Sequence, residues 1–320
     1  MSRRGFTLVE MLVVIGIIGV LAALLLPAVM MAINVARRSA IGVEIAELSK
    51  AIESYKEKHG DYPPNFRDYD AFIRHVRKCY PSIDNRHLDE TVKSVWGAAY
   101  SLAAPPVVAA GTPHIVPNID EGESLVFWLY LVSNDKRQPF KAMIVACGRD
   151  PVVGPSPVLA DVLNASSTPE RLYPFKEERL IDGADATDVM PSYKAIYSGE
   201  TAYLYIDSRS YDQLTDDYTT PARAAYAEDP SAGYIRPYWS EDRTSSAALT
   251  PPDLRDDYKP MNPTTFQIIG AGQDGLFQSD PEPTVLKFFP GGGGYSSPGG
   301  EDNDNMTNFS EGRRLEDHLP

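Results

Sequence analysis

The chain has 320 residues, carries a formal net charge of −14 at pH 7 and has a sequence pI near 4.8. This length accommodates one globular domain with a core of ordinary size in addition to a membrane segment. The acidic balance excludes nucleic acid as an expected partner, because proteins that bind nucleic acid present clustered Lys and Arg to the phosphates.

The first predicted element is a membrane-spanning helix near the N-terminus. A basic leader containing Arg3 and Arg4 precedes an apolar run, in which the 26 residues from Met11 to Ala36 carry no formal charge. About 20 helical residues cross the hydrocarbon core of a bilayer. A cleaved secretory signal has an apolar region of only about 7–15 residues, which ends at a small-residue cleavage site. The run is too long for such a signal and predicts a span.

Glu10 lies at the start of this run, where a carboxylate is unexpected. An ionised side chain inside the membrane costs about 2.5 kcal/mol or more at depth, although less near the end of a span. A plain membrane anchor would fit the length of the run but would leave the carboxylate unexplained. Glu10 therefore indicates a partner that neutralises it.

Residues 5–10 read GFTLVE, and Pro27 lies inside the apolar run. This combination resembles the prepilin family, which includes type IV pilins and the pseudopilins of type II secretion. The resemblance implies that a prepilin peptidase and N-methyltransferase cleaves between Gly5 and Phe6 and methylates the new Phe6 amine. It also implies that Glu10 pairs with the Phe6 amine of a neighbouring subunit. A nearby ammonium offsets much of the cost of a buried carboxylate, so this pairing is physically coherent.

The same resemblance implies an assembly partner and an orientation. The partners would be other pseudopilin subunits, in a homo- or hetero-oligomeric filament, and an inner-membrane assembly platform. The protein would cross the inner membrane once, with its N-terminus in the cytoplasm and its C-terminal domain in the periplasm. The charges alone leave the orientation open, because Arg3 and Arg4 before the span are matched by Arg37 and Arg38 after it.

Four segments follow from these features. They are a leader (residues 1–5), a transmembrane half of a long helix (residues 6–36), an amphipathic soluble half (residues 37–60) and a globular domain (residues 61–320).

The soluble half of the helix has an apolar stripe at spacings of four and three residues. The stripe comprises Ile41, Ile45, Leu48, Ile52 and Tyr55, and we expect Glu44, Glu47, Lys50, Glu53 and Lys56 on other faces. The helix is predicted to run to about His59, with Gly60 as the residue beyond its C-terminus. Pro27 should weaken or bend it locally, because proline removes a backbone donor.

Further helices are predicted after an Asp61–Pro64 turn, whose G-x-Y-P pattern resembles major pseudopilins of type II secretion. A short helix is expected over Asp70–Tyr80, and a proline- and alanine-rich loop over residues 103–118. The acidic segment at residues 120–124 then favours a buried helix over a strand at Leu125–Leu131, because carboxylates suit a helix N-terminus.

Strand patterns dominate the C-terminal half. A hairpin is predicted from residues 195–197 and 201–206 around a Ser-Gly-Glu turn, with further strands at 265–269 and 285–289. Two insertions, at about 211–263 and 278–300, are interpreted as extended loops, and loops of such length commonly mark function or disorder. The predicted fold class is α+β: a pilin-like lollipop in which a long N-terminal membrane-spanning helix packs on a small antiparallel sheet.

Two cysteines, Cys79 and Cys147, leave two alternatives open. They could form a disulfide in an oxidising periplasm, or they could be two small apolar side chains in the core. Pairing cannot be deduced from sequence alone.

A calcium site is implied by resemblance to the C-terminal region of the major pseudopilins. Residues 269–275 (IGAGQDG) resemble their glycine-rich turn, and residues 302–309 (DNDNMTNF) resemble the acidic segment that closes their calcium loop. The resemblance implies oxygen ligands from Asp274, Asp302 and Asp304, with carbonyls or water completing the six to eight ligands that calcium takes.

The insertion at 278–300 departs from the family pattern at this point, because family members have a short connection there. It could loop out and leave the ligands adjacent, or it could destroy the site. Alternatively, the Asp side chains could simply bond the backbone of their own turns.

No enzyme signature is present in the sequence. The five histidines form no H-E-x-x-H pair, and no glycine-rich segment carries the lysine of a phosphate-binding loop. We therefore expect no catalytic activity. Three function classes remain: a structural subunit of a periplasmic pseudopilus in a type II secretion-like system, a type IV pilin, and a membrane-tethered binding protein that displays the 211–263 insertion. The two calcium-loop segments favour the first.

Overall fold

The computed structural model describes residues 8–106, 119–148, 158–165, 169–181, 190–211, 237–243, 258–277, 287–289 and 301–318. Its helices, in chain order, are α1 (Leu8–His59), α2 (Tyr69–Cys79), α3 (Asn85–Trp96), α4 (Glu121–Val126), α5 (Lys141–Ala146) and α6 (Leu159–Ala165). Its strands are β1 (Leu180–Ile181), β2 (Ser192–Tyr193), β3 (Leu204–Asp207), β4 (Tyr238–Arg243), β5 (Tyr258–Pro260), β6 (Phe266–Gly270), β7 (Lys287–Phe289) and β8 (Met306–Thr307).

Helix α1 confirms the predicted long helix. It extends for 52 residues and includes Pro27, which does not end it. The helix stops at Gly60, whose φ of +75° is unfavourable for a residue with a side chain, and the Gly60 N–H donates to the Lys56 carbonyl at 2.6 Å. The long helix therefore ends at His59, where Gly60 predicted its end.

The apolar stripe of α1 is confirmed as the face that packs on the domain, since all five of its members are buried. One prediction was wrong, because Glu44 does not lie on a solvent-facing side. It is only 8% exposed, and Ala51 is buried as well. The buried face is wider than the stripe because α1 contacts β6, β8 and the helical turn after α4.

Some of the helices of the domain were predicted from the sequence and others were not. Helix α2 confirms the short helix, and α4 confirms the helix start at the acidic segment. Asp120 caps α4 by accepting from Glu123 N at 2.9 Å, while the Glu123 carboxylate accepts from Asp120 N at 2.9 Å. The buried chain continues as a π-helical turn, Phe127–Leu131. Helices α3, α5 and α6 were not predicted from the sequence, and residues 107–118 of the expected loop lie outside the described residues.

The central sheet contains β3, β6 and β8 in the order β3-β6-β8, with antiparallel pairing throughout. The predicted hairpin was only partly right. Its turn exists, but Ala195–Tyr197 is not a strand; β2 instead pairs with β1, and a single bridge joins Lys194 to Ala202. Tyr197 has a φ of +63°, so the chain enters the turn earlier than the alternation of its side chains indicated.

The first insertion is not simply a loop, which corrects a second prediction, whereas β7 confirms the strand predicted at 285–289 inside the second insertion. Strands β4 and β5 belong to the first insertion, and β7 belongs to the second. Together they form a second three-stranded sheet in the order β5-β4-β7, in which β4 and β7 are parallel. The side chain of Gln267 in β6 joins the two sheets, because it accepts from Tyr238 N at 2.8 Å and donates to Tyr238 O at 2.9 Å.

Candidate functional site

The N-terminal half of α1 presents an apolar surface with one acid at its start. The large apolar side chains exposed between Leu8 and Val35 are 42–80% accessible, and Glu10 lies in the first turn with its side chain exposed. A carboxylate in the first turn is favoured by the helix dipole. Gly5 and Phe6 lie outside the described residues. Within the described ranges, α1 is the one helix long and apolar enough to cross a membrane.

Glu44 forms a buried ion pair that joins α1 to the domain, and sequence reasoning missed it. Arg179 donates to both Glu44 oxygens, from Nη1 at 2.6 Å and from Nη2 at 2.8 Å. The hydroxyl of Tyr203 donates to Oε2 at 2.7 Å, and that of Tyr193 donates to Oε1 at 3.2 Å. Burial raises the pKa of Tyr193 to about 12 and that of Tyr203 well above its usual value, so both phenols keep their protons.

The glycine-rich turn after β6 closes directly on Asp304. Asp304 Oδ2 accepts from Gln273 N at 2.6 Å and from Asp274 N at 3.2 Å. Gly272 has a φ of +63°, and a Cβ there would lie 2.3 Å from Asp304 Cγ. The turn can approach the carboxylate this closely only because a glycine occupies that position.

A second contact fixes the same turn from the opposite side. A Cβ at Gly275 would lie 2.5 Å from Ser198 O, and Thr201 Oγ1 donates to Gly275 O. Ser198 Oγ also donates to Gly272 O. The turn is thus held between Asp304 and the predicted Ser-Gly-Glu turn.

The structure brings two of the three predicted calcium ligands together, because the 278–300 insertion does not separate Asp274 from Asp304. Asp274 Oδ1 accepts from Leu276 N at 2.8 Å, which is the turn-stabilising bond of the alternative interpretation. Asp302 belongs by its backbone to the 3-10 turn Glu301–Asp304, but its side chain lies outside the described part of the structure. Among the described side chains, no group of three His, Cys, Asp or Glu could hold a metal.

One orphaned atom nevertheless fits a cation. Asp304 Oδ1 is buried and accepts no hydrogen bond from any group in the described part of the chain. Burial raises the pKa of Asp304, and the backbone N–H groups of Gln273 and Asp274 oppose the rise. A buried carboxylate oxygen without a donor is costly, and a hard cation coordinated by oxygen would remove that cost. Asp304 and the carbonyls of the turn therefore have the chemistry that calcium requires.

The two cysteines are not joined by a disulfide in the structure, and both are half-buried. Cys79 Sγ lies 3.5 Å from His75 Nε2 and 3.8 Å from the His59 carbonyl. Burial raises the pKa of Cys79 to about 11. A thiol with so high a pKa is a poor nucleophile, so this contact is a packing feature.

Comparison with known proteins identifies the family. Residues 1–26 match the family described as the prokaryotic N-terminal methylation motif. The type II secretion system core protein G of Klebsiella michiganensis is 32% identical over 109 residues, which cover 32% of this chain and 75% of the relative. That of Pseudomonas aeruginosa is 32% identical over 112 residues, which cover 33% of this chain and 78% of the relative. The chain belongs to the type II secretion system core protein G family. No solved structure matches it significantly.

Membership of the core protein G family confirms the resemblance to the prepilin family read from the GFTLVE segment. The protein is a membrane-anchored, single-pass member of this family, with α1 as the anchor. The family relatives also decide between the pilin-like alternatives, because core protein G belongs to type II secretion.

This member of the core protein G family is unusually large. The alignment with the Klebsiella michiganensis relative covers 75% of that protein but only 32% of this chain, so this chain is more than twice as long. The extra sheet is held by Gln267 and by Asn305 Nδ2, which donates to the Tyr238 hydroxyl at 3.0 Å.

Proposed function

We propose that this chain is a structural subunit of a periplasmic pseudopilus in a type II secretion-like system. The observation that carries the proposal is the long apolar surface of α1, which begins at the GFTLVE segment and ends where the domain starts to cover the helix at Ile41. Such a helix can be held in lipid and later packed among other helices. Its role would be mechanical, with no catalytic step.

Processing of the N-terminus would prepare the subunit for assembly. A prepilin peptidase and N-methyltransferase would cut between Gly5 and Phe6 and methylate the Phe6 amine. Removal of residues 1–5 takes away Arg3 and Arg4 and leaves an ammonium directly at the start of the apolar surface. The mature chain would then carry a positive amine four residues before Glu10.

Glu10 would pair with the Phe6 amine of a neighbouring subunit. A carboxylate at the edge of the hydrocarbon is costly, and an ammonium from another copy offsets much of that cost. Each added subunit would bring one acid and one amine, so assembly at an inner-membrane platform would repeat the same pairing. The resulting filament would rise from the membrane and help to move folded cargo outward.

The Glu44–Arg179 ion pair would transmit force between the anchor and the domain. Its charges are buried and every oxygen of Glu44 accepts hydrogen bonds from Arg179 or a tyrosine. The contact lies only three residues beyond Ile41, the first buried position of α1. A filament built from α1 would therefore carry the domain as a rigidly attached unit.

Calcium would be held by Asp304 and Asp274 together with Asp302 and carbonyls of the glycine-rich turn. The buried Asp304 Oδ1, which accepts no hydrogen bond from the residues that the structure describes, supports this assignment. The cation would supply positive charge to carboxylates that lie against each other, and it would stabilise the contact between this turn and the Ser-Gly-Glu turn.

Replacement of Glu10 tests the proposal. Glu10→Ala removes the carboxylate and leaves the apolar run uninterrupted, so membrane insertion and cleavage should be retained while pseudopilus filaments are lost. Filaments would be counted by electron microscopy of sheared cells that overproduce the subunit. Glu47→Ala is the matched control, because Glu47 is an exposed acid on the soluble half of the same helix. Filaments from Glu10→Ala in wild-type numbers would refute the charge-pairing account.

A further inference from the structure

Outside α1, few large apolar side chains are exposed in the described ranges, and two of them share one location. Beyond the helix, these side chains are Val158 at 56%, Tyr197 at 51% and Leu276 at 43%. Val158 precedes α6, which packs on α5. Tyr197 and Leu276 flank the two turns that touch each other, because Gly275 lies against Ser198. We call Tyr197 and Leu276 the turn patch.

The turn patch lies beside the end of the membrane-spanning segment. Gln273 Nε2 donates to the backbone carbonyl of Asn34 at 2.8 Å, and the Arg37 guanidinium lies 5.5 Å from the centre of the Tyr197 ring. Asn34 and Arg37 bracket the last residue of the uncharged run, Ala36. The patch is therefore at the level at which α1 leaves the hydrocarbon.

The dimensions of the helix place this level among lipid headgroups. A run of 26 helical residues is about 39 Å long, whereas the hydrocarbon core is about 30 Å thick. If Glu10 sits at the inner boundary, the last residues of the run lie above the outer boundary. Asn34 then lies about 6 Å beyond the outer hydrocarbon boundary, within the headgroup layer, and Arg37 lies about 10 Å beyond that boundary, at the outer edge of the layer. The two turns that contact these residues therefore lie on the headgroup layer.

We propose that Tyr197 and Leu276 rest in the outer headgroup layer of the same membrane that α1 spans, in the subunit before it is assembled. This proposal rests on the membrane anchoring of the proposed function and adds a second contact with lipid. Tyrosine is suited to it, because an apolar ring with a polar hydroxyl is enriched at membrane interfaces. Arg37 can place its stem on Tyr197 and its guanidinium on a lipid phosphate.

Charge limits how deep the patch can enter. The side chain of Glu200 is 76% exposed in the same turn, where Lys194 pairs with it, and Asp274 is exposed in the other turn. These acids stay in water, so only Tyr197 and Leu276 would reach the lipid. An anionic lipid is not needed for the contact, and zwitterionic phospholipid suffices. The second contact would fix the rotation of the domain about α1 and would be lost when the subunit leaves the membrane.

Fluorescence quenching by brominated lipid tests the proposal. The full chain would be reconstituted into phosphatidylcholine vesicles, with or without bromine on the acyl carbons nearest the headgroup, as Tyr197→Trp and, separately, as Leu276→Trp. The native Trp96, Trp128 and Trp239 are buried in the domain and form the background. We expect each added tryptophan to be quenched roughly twofold or more relative to unbrominated vesicles, because it sits at the interface.

Val158→Trp is the matched control, because it adds an exposed tryptophan at the side of the domain formed by α5 and α6. Equal quenching at positions 158, 197 and 276 would overturn the proposal. A blue shift that grows with the protein-to-lipid ratio, without quenching, would overturn it in favour of a second copy of the chain. The test is independent of filament assembly, since a chain that is quenched but forms no filaments keeps this proposal and loses the proposed function.

Discussion

Glu44 concentrates more electrostatic interactions than any other acid described above. Four hydrogen bonds reach its two oxygens from three side chains, and the nearest of these in sequence is 135 residues away. The sequence pattern placed this residue on a polar face because no local spacing can identify so distant a partner. Arg179 is cationic and largely buried, with a side chain only 14% exposed. Each charge therefore needs the other to offset the cost of its burial.

Loss of the Glu44 charge should destabilise the domain strongly. Glu44→Gln leaves Arg179 buried without a counter-charge, and breaking one side of a buried pair costs about 3–5 kcal/mol. Urea unfolding of the full chain in detergent, followed by circular dichroism, measures this difference. Glu47→Gln, an exposed acid on the same helix, should change stability by less than about 0.5 kcal/mol. Equal effects of the two substitutions would show that the ion pair contributes no special stability.

The effect of Asp304→Asn on the melting temperature should depend on calcium. In chelator, Asp304→Asn should melt at the same temperature as the wild type or higher, because burial penalises the wild-type carboxylate and raises its pKa. In millimolar calcium, the wild type should gain melting temperature and the variant should not, because the variant lacks the charged ligand. Differential scanning fluorimetry measures both conditions.

The control for Asp304→Asn is Glu57→Gln, which removes one exposed negative charge far from the turn. This control should retain the full calcium response. A wild-type melting temperature that is insensitive to calcium would leave Asp304 as a residue that only supports the turn.

At the scale of elements, the helical layer depends on contacts between helices that are distant in sequence. His87 in α3 is buried, and its Nε2 accepts a hydrogen bond from the Phe140 N–H, just before α5, at 3.1 Å. Burial lowers the pKa of His87 to about 4, against the pull of Asp84 and Asp135. Only the neutral ring can accept this bond, so protonation would separate α3 from α5.

The contact between α3 and α5 should make stability fall as the solution is acidified. The folded-state pKa of His87 lies below the unfolded value, so the unfolded chain binds the proton first, and the stabilisation is lost as pH falls from about 6.5 towards 4. Between pH 6.5 and pH 5 the loss should be about 2 kcal/mol. His87→Gln, which can still accept from Phe140, should flatten the dependence in urea unfolding. An unchanged slope in this variant would assign the pH dependence to other groups.

The elements predicted correctly from the sequence are those specified by residues that lie close together in the chain. The stripe of α1 and the acidic segment at the start of α4 are each formed by residues close together in the chain, and both were predicted. Helix α3 has Leu88, Val92 and Val95 at helical spacing, which a closer reading would have detected. Strand β7 falls within the strand predicted at 285–289, but β4 and its parallel pairing with β7 could not be predicted from local patterns, because the two strands come from different insertions.

At the scale of the whole molecule, one helix serves two environments. Its first half is exposed and apolar, and its second half is the centre of the domain core, joined there by Glu44. The anchor and the domain meet at the turns around Gln273, which contact both the helix at Asn34 and the candidate calcium ligands. The end of the membrane-spanning segment, the glycine-rich turn and the Glu44–Arg179 ion pair consequently lie along one stretch of α1.

The central claim is that the apolar half of α1 is exposed to a membrane as a processed subunit, with its acid facing a newly formed amine. Intact-mass analysis of the mature protein from peptidase-positive cells tests it most directly. We expect a chain that begins at Phe6 and carries one N-methyl group, and the unprocessed Met1 form when the peptidase is deleted. A chain that keeps Met1 in the presence of the peptidase would contradict this proposal, because without cleavage no Phe6 amine forms to pair with Glu10.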